Sequence, residues 1–425
     1  MAVGDRSRRL DWLLTWRLAE RKTIYLIAIS LFGALCFVAV SILSSLRSWH
    51  AMAPGQPLVF GDFRALWTYG KIAAAHPGIE LYDWNLLHDR QVALRMKQDE
   101  AAPFPYAPPF IAAFRVLSIL PFVWSYFAFA AASLLLFAWV GAKTISGKPW
   151  SLIAVAVAPV STIAVLAGQT GFVAAALLTG GLRLSRSNPL LSGIALGLLC
   201  YKPQLGVLVP VGLVAVGAWR AIGVAVLTIT ALAAAATWRF GWQVWAAWLS
   251  MMPRYDAFFF GMRKTLPIQP TVLANLRLLG CPYALAQAVQ AGVALVVAVM
   301  VWRVHRRGSD RIAHAALIVG TFLATPHAFI YDMPVLAAAM CLFIQDRIAC
   351  GGAFTLAEIG VLTLGSFFPV YIVAERPDIP VSSVCLILLF AMLVRRANGR
   401  LGTGQQGEGA TRPHRYPVRQ TSISA

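Results

Sequence analysis

Long apolar runs recur along almost the whole chain, separated by short polar connections. The first extends from about Ile24 to Leu46, and the others follow between residues 122 and 395. A helix needs roughly 20 apolar residues to cross the hydrocarbon core of a bilayer. The pattern therefore predicts an all-α polytopic integral membrane protein with about twelve spans. We place these spans near 24–46, 122–143, 149–167, 170–184, 189–202, 203–220, 221–239, 284–303, 312–326, 329–346, 354–374 and 381–395.

The composition agrees with a membrane protein and argues against a nucleic-acid partner. Only 12% of the residues are charged and 59% are hydrophobic, whereas about 25% of residues are charged in a typical soluble protein. Much of the net charge of +19 lies in short loops and at the two ends, where basic residues set membrane orientation. The six cysteines show no ligand-like spacing and no disulfide framework. Membrane lipids are thus the expected surroundings.

Basic residues occur at alternate connections, which predicts the orientation of the chain. They fall at 143–148, 183–186, 220, 303–311, 347 and 395–400, on one side if the N-terminus is cytoplasmic. We therefore expect a multi-pass protein of the cell membrane with both termini in the cytoplasm. The first run is too long for a signal-peptide core of roughly 7 to 15 residues, so we interpret it as an uncleaved span.

Three regions follow from this topology. They are a basic cytoplasmic N-terminus (1–23), a transmembrane domain (24–395) with outer loops at about 47–121 and 240–283, and a disordered cytoplasmic tail (396–425). An amphipathic helix is predicted after Asp62 in the first outer loop, because apolar residues recur there at helical spacing. The apolar segment 110–121 is short and carries Arg115, so we expect an interfacial or re-entrant helix there and not a full span.

Asp62 is one of only 17 acidic residues in the chain, and it stands just beyond the first apolar run. One interpretation is a helix cap, because an aspartate at a helix start accepts backbone N–H bonds. The other interpretation is a carboxylate that faces a cavity and takes part in chemistry. The two are compatible.

Four other outer connections carry polar groups that a turn does not require. Tyr106 precedes a proline pair in "YAPPF", which could simply end a loop, and Gln169 lies in the tight turn "AGQTG", which could be an ordinary hairpin. Lys202 and Gln204 lie in "CYKPQLG", where lysine goes against the positive-inside pattern. Lys202 is either an interfacial anchor or a cavity-facing cation, because ionisable groups at this depth usually pair or face a cavity.

The fourth connection is "TPHAFIYD", which brings His327, Tyr331 and Asp332 to the same predicted face. His327 is either a packed turn residue or a group that handles phosphate or protons. The topology, set by basic residues elsewhere, gathers these connections around Asp62. One carboxylate beside basic and amide groups suits an enzyme that holds a phosphate-bearing lipid and activates a hydroxyl.

At these residues the sequence resembles glycosyltransferase family 87, the polyprenyl-phosphate-mannose-dependent α-mannosyltransferases of the GT-C superfamily. The resemblance covers roughly residues 20 to 395. It rests on Asp62-Phe63, Tyr69, Leu81-Tyr82-Asp83, Tyr106-Ala107-Pro108-Pro109, Gly168-Gln169, Lys202-Pro203-Gln204 and His327. An alanine interrupts the Tyr-Pro-Pro element, and Thr170 stands where asparagine is expected in many relatives.

The resemblance implies a GT-C fold, an active site on the outer face, and Asp62 as the catalytic base. It implies that Lys202 and His327 contact the donor phosphate or lie nearby, and Gln169, Gln204, Tyr106 and Tyr331 complete the expected substrate-binding set. The partners are then a polyprenyl-phosphate sugar and a lipid or glycan acceptor. No Asp-x-Asp pair follows Asp62, so we expect no obligatory metal and no other cofactor.

Two other functions remain open at this point. A lipid transporter or flippase would carry internal repeats and charges near mid-membrane; we see no clear repeat, and Glu358 is the main acid within a span. A ligase that joins a lipid-linked glycan to another carrier would share both the fold class and an outer site.

Overall fold

The computed structural model describes residue 39 and residues 61–145, 158–261, 263–351, 354–375 and 378–402. The predicted N-terminal segment 1–23 lies outside these residues, as do nearly all of the first span and all of the tail beyond 402. The described residues contain helices and turns and no strand, which confirms an all-α chain. The helices are α1 (Phe63–Ala75), α2 (Trp84–Ala93), α3 (Ile111–Leu117), α4 (Phe122–Ile145), α5 (Pro159–Ala167), α6 (Gly171–Leu184), α7 (Pro189–Leu198), α8 (Val209–Ala215), α9 (Trp219–Phe240), α10 (Gln243–Phe260), α11 (Val272–Leu278), α12 (Tyr283–Arg307), α13 (Asp310–Ala324), α14 (Val335–Ala349), α15 (Leu356–Glu375) and α16 (Val381–Gly402).

Five of the described helices are long and apolar enough to cross a membrane: α4, α9, α12, α15 and α16. Their exposed faces carry large apolar side chains such as Leu135, Trp139, Val226 and Leu295. In water such faces would be costly, so these helices fit a lipid environment. The protein is therefore an all-α membrane protein.

The other predicted spans form helices that are shorter than a full crossing. The helix α6 has 14 residues and α13 has 15, which at 1.5 Å per residue gives about 21–23 Å against a hydrocarbon core of about 30 Å. These two helices and α14 are almost entirely buried in the main apolar core. Short helices thus form the centre of the bundle, and the prediction of about twelve spans is not confirmed.

Proline explains where the predicted spans break. The predicted spans 189–202 and 203–220 become α7 and α8, separated by two short 3-10 turns that meet at Lys202. Pro203 has no backbone N–H and disfavours helical backbone at the residue before it, so the helix cannot continue. Likewise α14 begins only at Val335, after Pro334. At the C-terminal end α16 continues to Gly402, past the boundary at 396 predicted for the tail.

The described parts of the two predicted outer loops fold together as one cap over one end of the bundle. Its core is aromatic and includes Phe63, Tyr69, Phe104 and Phe114. The Trp248 indole of α10 donates to the carbonyl of Pro105, at 3.1 Å, and joins the second loop to the first. The segment 110–121 forms only the seven-residue helix α3, with Arg115 exposed, so it is not a full span. Whether this cap lies at the membrane surface stays a prediction.

A close contact between α1 and α3 holds the cap together. A Cβ atom on Gly70 would lie 2.1 Å from the Phe114 carbonyl oxygen and 2.8 Å from Cβ of Ser118. No side chain can be accommodated there without moving the backbone of α3.

We predict that Gly70→Ala lowers the apparent unfolding temperature of the purified protein, because overpacking costs about 1–3 kcal/mol. The matched control is Gly223→Ala in α9, where an added Cβ meets nothing within 4 Å. That control should be neutral or stabilising, since alanine is the better helix former by up to ~1 kcal/mol. Equal unfolding temperatures for the two variants would contradict the packing described here.

Candidate functional site

Two facing turns fix the position of Asp62. Its backbone N–H donates to the Ala167 carbonyl at the end of α5, at 2.8 Å. Gly61 and Gly168 both have positive φ values, +57° and +60°, and an added Cβ on Gly61 would lie 2.5 Å from the Leu166 carbonyl oxygen. Glycine is required on both sides because it adopts this conformation at no steric cost and lets the two backbones approach. The start of the cap is therefore tied directly to the bundle.

Asp62 occupies the N-cap position of α1, but its side chain makes no capping hydrogen bond. The Gln169 amide instead donates to Oδ2 of Asp62, at 3.4 Å. The capping role, one of the two interpretations of the sequence, is therefore not observed. The reason is geometric: the residue has helical backbone angles, whereas a capping aspartate usually has extended ones.

The Asp62 carboxylate has both solvent and protein atoms around it. Solvent reaches the residue, yet surrounding protein atoms desolvate the carboxylate and raise its pKa above the ordinary value. The Gln169 hydrogen bond, Arg64 and Lys202 act in the opposite direction and only partly offset this. A carboxylate with a raised pKa accepts a proton more readily than an ordinary aspartate, as general-base catalysis requires.

Asp62 differs from the other acids around it because no cation lies within ion-pair distance among the described residues. Asp332 is paired with Lys202 and Asp256 with His327. The carboxylate of Asp62 is therefore free to interact with a bound molecule, whereas its two neighbours are already engaged.

Lys202 and Asp332 form a buried ion pair. They are 4% and 1% exposed, and Nζ donates to Oδ1 of the carboxylate. Oδ2 of Asp332 accepts from the Phe329 backbone N–H, and the Lys202 ammonium lies 5.0 Å from the centre of the Tyr331 ring. The anion that meets Lys202 is thus a side chain of the protein itself. A contact of Lys202 with a substrate phosphate stays a prediction.

His327 packs against α10 of the second outer loop. Its Nε2 lies 3.5 Å from Oδ1 of Asp256, and its ring contacts Phe260 at a centroid distance of 4.9 Å. Burial lowers the pKa of His327 and Asp256 opposes that shift. Sequence inspection missed Asp256, although an acid in an apolar loop is the same signal that singled out Asp62.

Tyrosines surround the carboxylate of Asp62. Burial is the main cause that raises the pKa of Tyr69, Tyr106 and Tyr255, and the charge of Asp62 contributes at all three. They remain protonated phenols at neutral pH. Tyr201 donates to the Thr170 carbonyl at 2.9 Å and stacks on Tyr106 with centroids 6.4 Å apart. Tyr255 was not anticipated from the sequence, because nothing local marks it.

The structure brings together some, but not all, of the predicted site residues. Asp62, Gln169, Lys202, Tyr106 and Tyr331 are linked by the contacts and charges described above. The described structure gives Gln204 no hydrogen bond to any of them; it is half-buried in the turn after Lys202. No group of three or more His, Cys, Asp or Glu residues in the described segments could hold a metal ion. The expectation that no metal is needed stays a prediction.

A family model describes much of this chain. The model for glycosyltransferase family 87 matches residues 104–326, just over half of the 425 residues. The chain belongs to glycosyltransferase family 87. No curated protein and no solved structure gives a significant match.

Family 87 membership makes the protein a membrane glycosyltransferase. The matched range contains Tyr106, Gln169, Lys202 and Gln204. It begins after Asp62 and ends one residue before His327, so the family 87 match does not cover those two residues, and their roles stay predictions.

We predict that the Lys202–Asp332 pair behaves as one unit in unfolding experiments. Lys202→Met leaves a buried carboxylate unpaired, which costs about 3–5 kcal/mol in other proteins. The double variant Lys202→Met/Asp332→Asn should recover much of the lost thermal stability, since neither charge remains. If the double variant is as unstable as the sum of the single variants, the two side chains do not interact as described.

Proposed function

We propose that this family 87 protein transfers the hexose mannose from a polyprenyl-phosphate donor to a hydroxyl of a lipid or glycan acceptor. The observation that carries the proposal is Asp62: a solvent-accessible carboxylate with a raised pKa and no ion-pair partner within the described structure. Tyrosine side chains surround the Asp62 carboxylate, and the Lys202–Asp332 and His327–Asp256 pairs lie beside it. A transferase needs such a base to activate a hydroxyl, whereas a transporter does not.

In the proposed reaction Asp62 removes the proton of the acceptor hydroxyl. The oxygen attacks the anomeric carbon of the donor from the face opposite the phosphate, so the configuration inverts. The new bond joins the acceptor oxygen to the anomeric carbon, and the bond from that carbon to the phosphate oxygen breaks. Polyprenyl phosphate leaves with the bonding electrons. Because phosphate needs little protonation to leave, one carboxylate suffices.

Lys202 and His327 are the proposed groups that stabilise charge on the leaving phosphate. A lysine ammonium has three donors, and Asp332 accepts from it at one oxygen, so N–H groups remain for a phosphate oxygen. Asp332 holds the ammonium in position. His327 would act beside it, oriented by Asp256. Tyr106 and Tyr331 line the pocket, and Gln169 orients the base.

The distribution of charge supports an outer-face site. The helix α6 begins next to Gln169 and ends at Leu184, near Arg183 and Arg186. In the same way α13 begins at Asp310, after the basic end of α12, and ends near His327. The candidate site and these basic connections therefore lie at opposite ends of the bundle. Since basic connections favour the cytoplasm, the site would face outward, where a lipid-linked donor replaces the cytoplasmic nucleotide sugars.

We predict that Asp62→Asn and Asp62→Ala reduce sugar transfer from polyprenyl-phosphate mannose by about 10²- to 10⁴-fold, the usual contribution of a general base. The measurement is product formation by mass spectrometry with purified, monodisperse protein. The matched control is Asp83→Asn in the same loop: Asp83 caps α2 through the Asn85 and Leu86 N–H groups, and asparagine caps equally well. It should retain near wild-type transfer.

Wild-type turnover in both Asp62 variants would exclude Asp62 as the base. Translocation of the lipid in proteoliposomes with no sugar transfer by the wild-type protein would instead favour a transporter. A product that carries a whole glycan would favour a ligase.

The pH profile gives an independent prediction. Asp62 must be ionised to act as a base, so transfer falls as pH falls through its raised pKa. The Gln169 hydrogen bond lowers that pKa, and Gln169→Leu removes it. We therefore expect the acidic limb of the transfer rate to move to higher pH in this variant. A limb that stays in place, or moves to lower pH, would contradict the assignment of Asp62 as the titrating group.

A further inference from the structure

A second group of ionisable side chains lines a cavity at the end of the bundle remote from Asp62. The cavity measures about 40 Å³, enough for two or three water-sized groups at roughly 15 Å³ each. Its polar lining consists of Arg183, Ser185, Arg186, His305, Asp310 and His314. The length of α6, about 20 Å, separates it from Gln169. None of these residues belongs to the proposed transfer site.

His305 is a buried polar group of this cavity. It is 9% exposed, and its Nδ1 lies 2.9 Å from the Val301 carbonyl. A carbonyl only accepts, so Nδ1 carries the hydrogen. Within the described residues Nε2 has no hydrogen-bond partner, although His305 lines the cavity. The His314 ring lies beside it with a centroid distance of 6.3 Å. The open Nε2 is therefore the unprotonated nitrogen, which accepts a hydrogen bond, so the group that fills this position must donate a hydrogen, as water or a phosphate hydroxyl does.

The cavity mouth carries an excess of positive charge. The side chains of Arg183 and Arg186 are exposed there, and only one carboxylate, Asp310, lines the cavity. Asp310 lies 3.5 Å from Arg186, which leaves the Arg183 guanidinium uncompensated within the lining. Arg306 follows His305 in the chain and adds a further guanidinium outside the lining, donating to the Ala215 carbonyl at 3.4 Å. Guanidinium groups match the geometry of phosphate oxygens and can bind them in pairs.

We propose that this cavity binds a phosphate group, with Arg183 and Arg186 at its mouth and His305 and His314 inside. The group is either the phosphomonoester headgroup of an anionic phospholipid or free inorganic phosphate, which both offer oxygens to the arginines and a hydroxyl to Nε2 of His305. Basic pockets between membrane helices commonly receive phospholipid headgroups. The flanking exposed apolar side chains Leu190 and Leu191, at the start of α7, provide contacts for acyl chains in the lipid case.

The test uses the full-length protein in nanodiscs of phosphatidylcholine, with two probes. One is inorganic phosphate, titrated while the apparent unfolding temperature is followed. The other is phosphatidic acid, mixed into the nanodiscs and counted on the protein by native mass spectrometry. We expect a saturable response to at least one probe. A response to phosphate alone identifies free phosphate, and a response confined to phosphatidic acid identifies the lipid headgroup.

The variant Arg183→Gln/Arg186→Gln should weaken the response at least tenfold. The matched control is Arg303→Gln/Arg307→Gln on α12, which removes the same charge from exposed positions that do not line the cavity. This control should change the response to the probe less than twofold. His314→Gln keeps all the arginines and should weaken the response severalfold; it serves as the test if the double variant does not fold. Equal losses in cavity and control variants, or no saturable response of the wild-type protein, would overturn the proposal.

Discussion

The short backbone hydrogen bond from Asp62 to Ala167 ties the candidate active site to the helical bundle. It joins the beginning of the cap to the end of α5, and it forms only because Gly61 and Gly168 adopt left-handed conformations. From this point α1 proceeds into the aromatic core of the cap, where Phe63 contacts Phe122 and Tyr126 of α4. The carboxylate is thereby held beside Gln169 by the backbone itself, and a flexible loop is not required to position it.

The two other acids near Asp62 already have partners, and Asp62 has no cation partner among the described residues. Asp332 is paired with Lys202, so the cost of burying these two charges is offset within the protein, and Asp256 lies beside His327. Asp62 has only the Gln169 amide. Desolvation raises its pKa, and the Gln169 hydrogen bond, Arg64 and Lys202 only partly offset this. The same surroundings that position the carboxylate make it basic enough to accept a proton from a hydroxyl.

The sequence predicted the all-α membrane class, because hydropathy carries that signal directly, and the scarcity of charged residues singled out Asp62 and Lys202. The predicted ranges of α6 and α13 were already shorter than a full crossing, but the sequence did not place these helices and α14 at the centre of the bundle, since a buried short helix and a membrane span have the same composition. It anticipated an anion for Lys202 but not that Asp332 would supply it. Pairings across 130 residues, as here, depend on packing that local pattern does not encode. Tyr255 was missed for the same reason, whereas Asp256 was missed although an acid in an apolar loop is a local signal.

The central claim is that Asp62 faces the reacting centre while Lys202 and His327 face the donor phosphate. It is tested most directly by an experimental structure of the protein with polyprenyl phosphate bound. The account predicts the phosphate on the side of Lys202 and His327, with the Asp62 carboxylate open toward the space next to it where an acceptor hydroxyl would lie. The account would be contradicted by a phosphate bound only in the distant cavity lined by Arg183 and Arg186. It would also be contradicted by a phosphate separated from Asp62 by the side chains of Tyr69, Tyr106 and Tyr255.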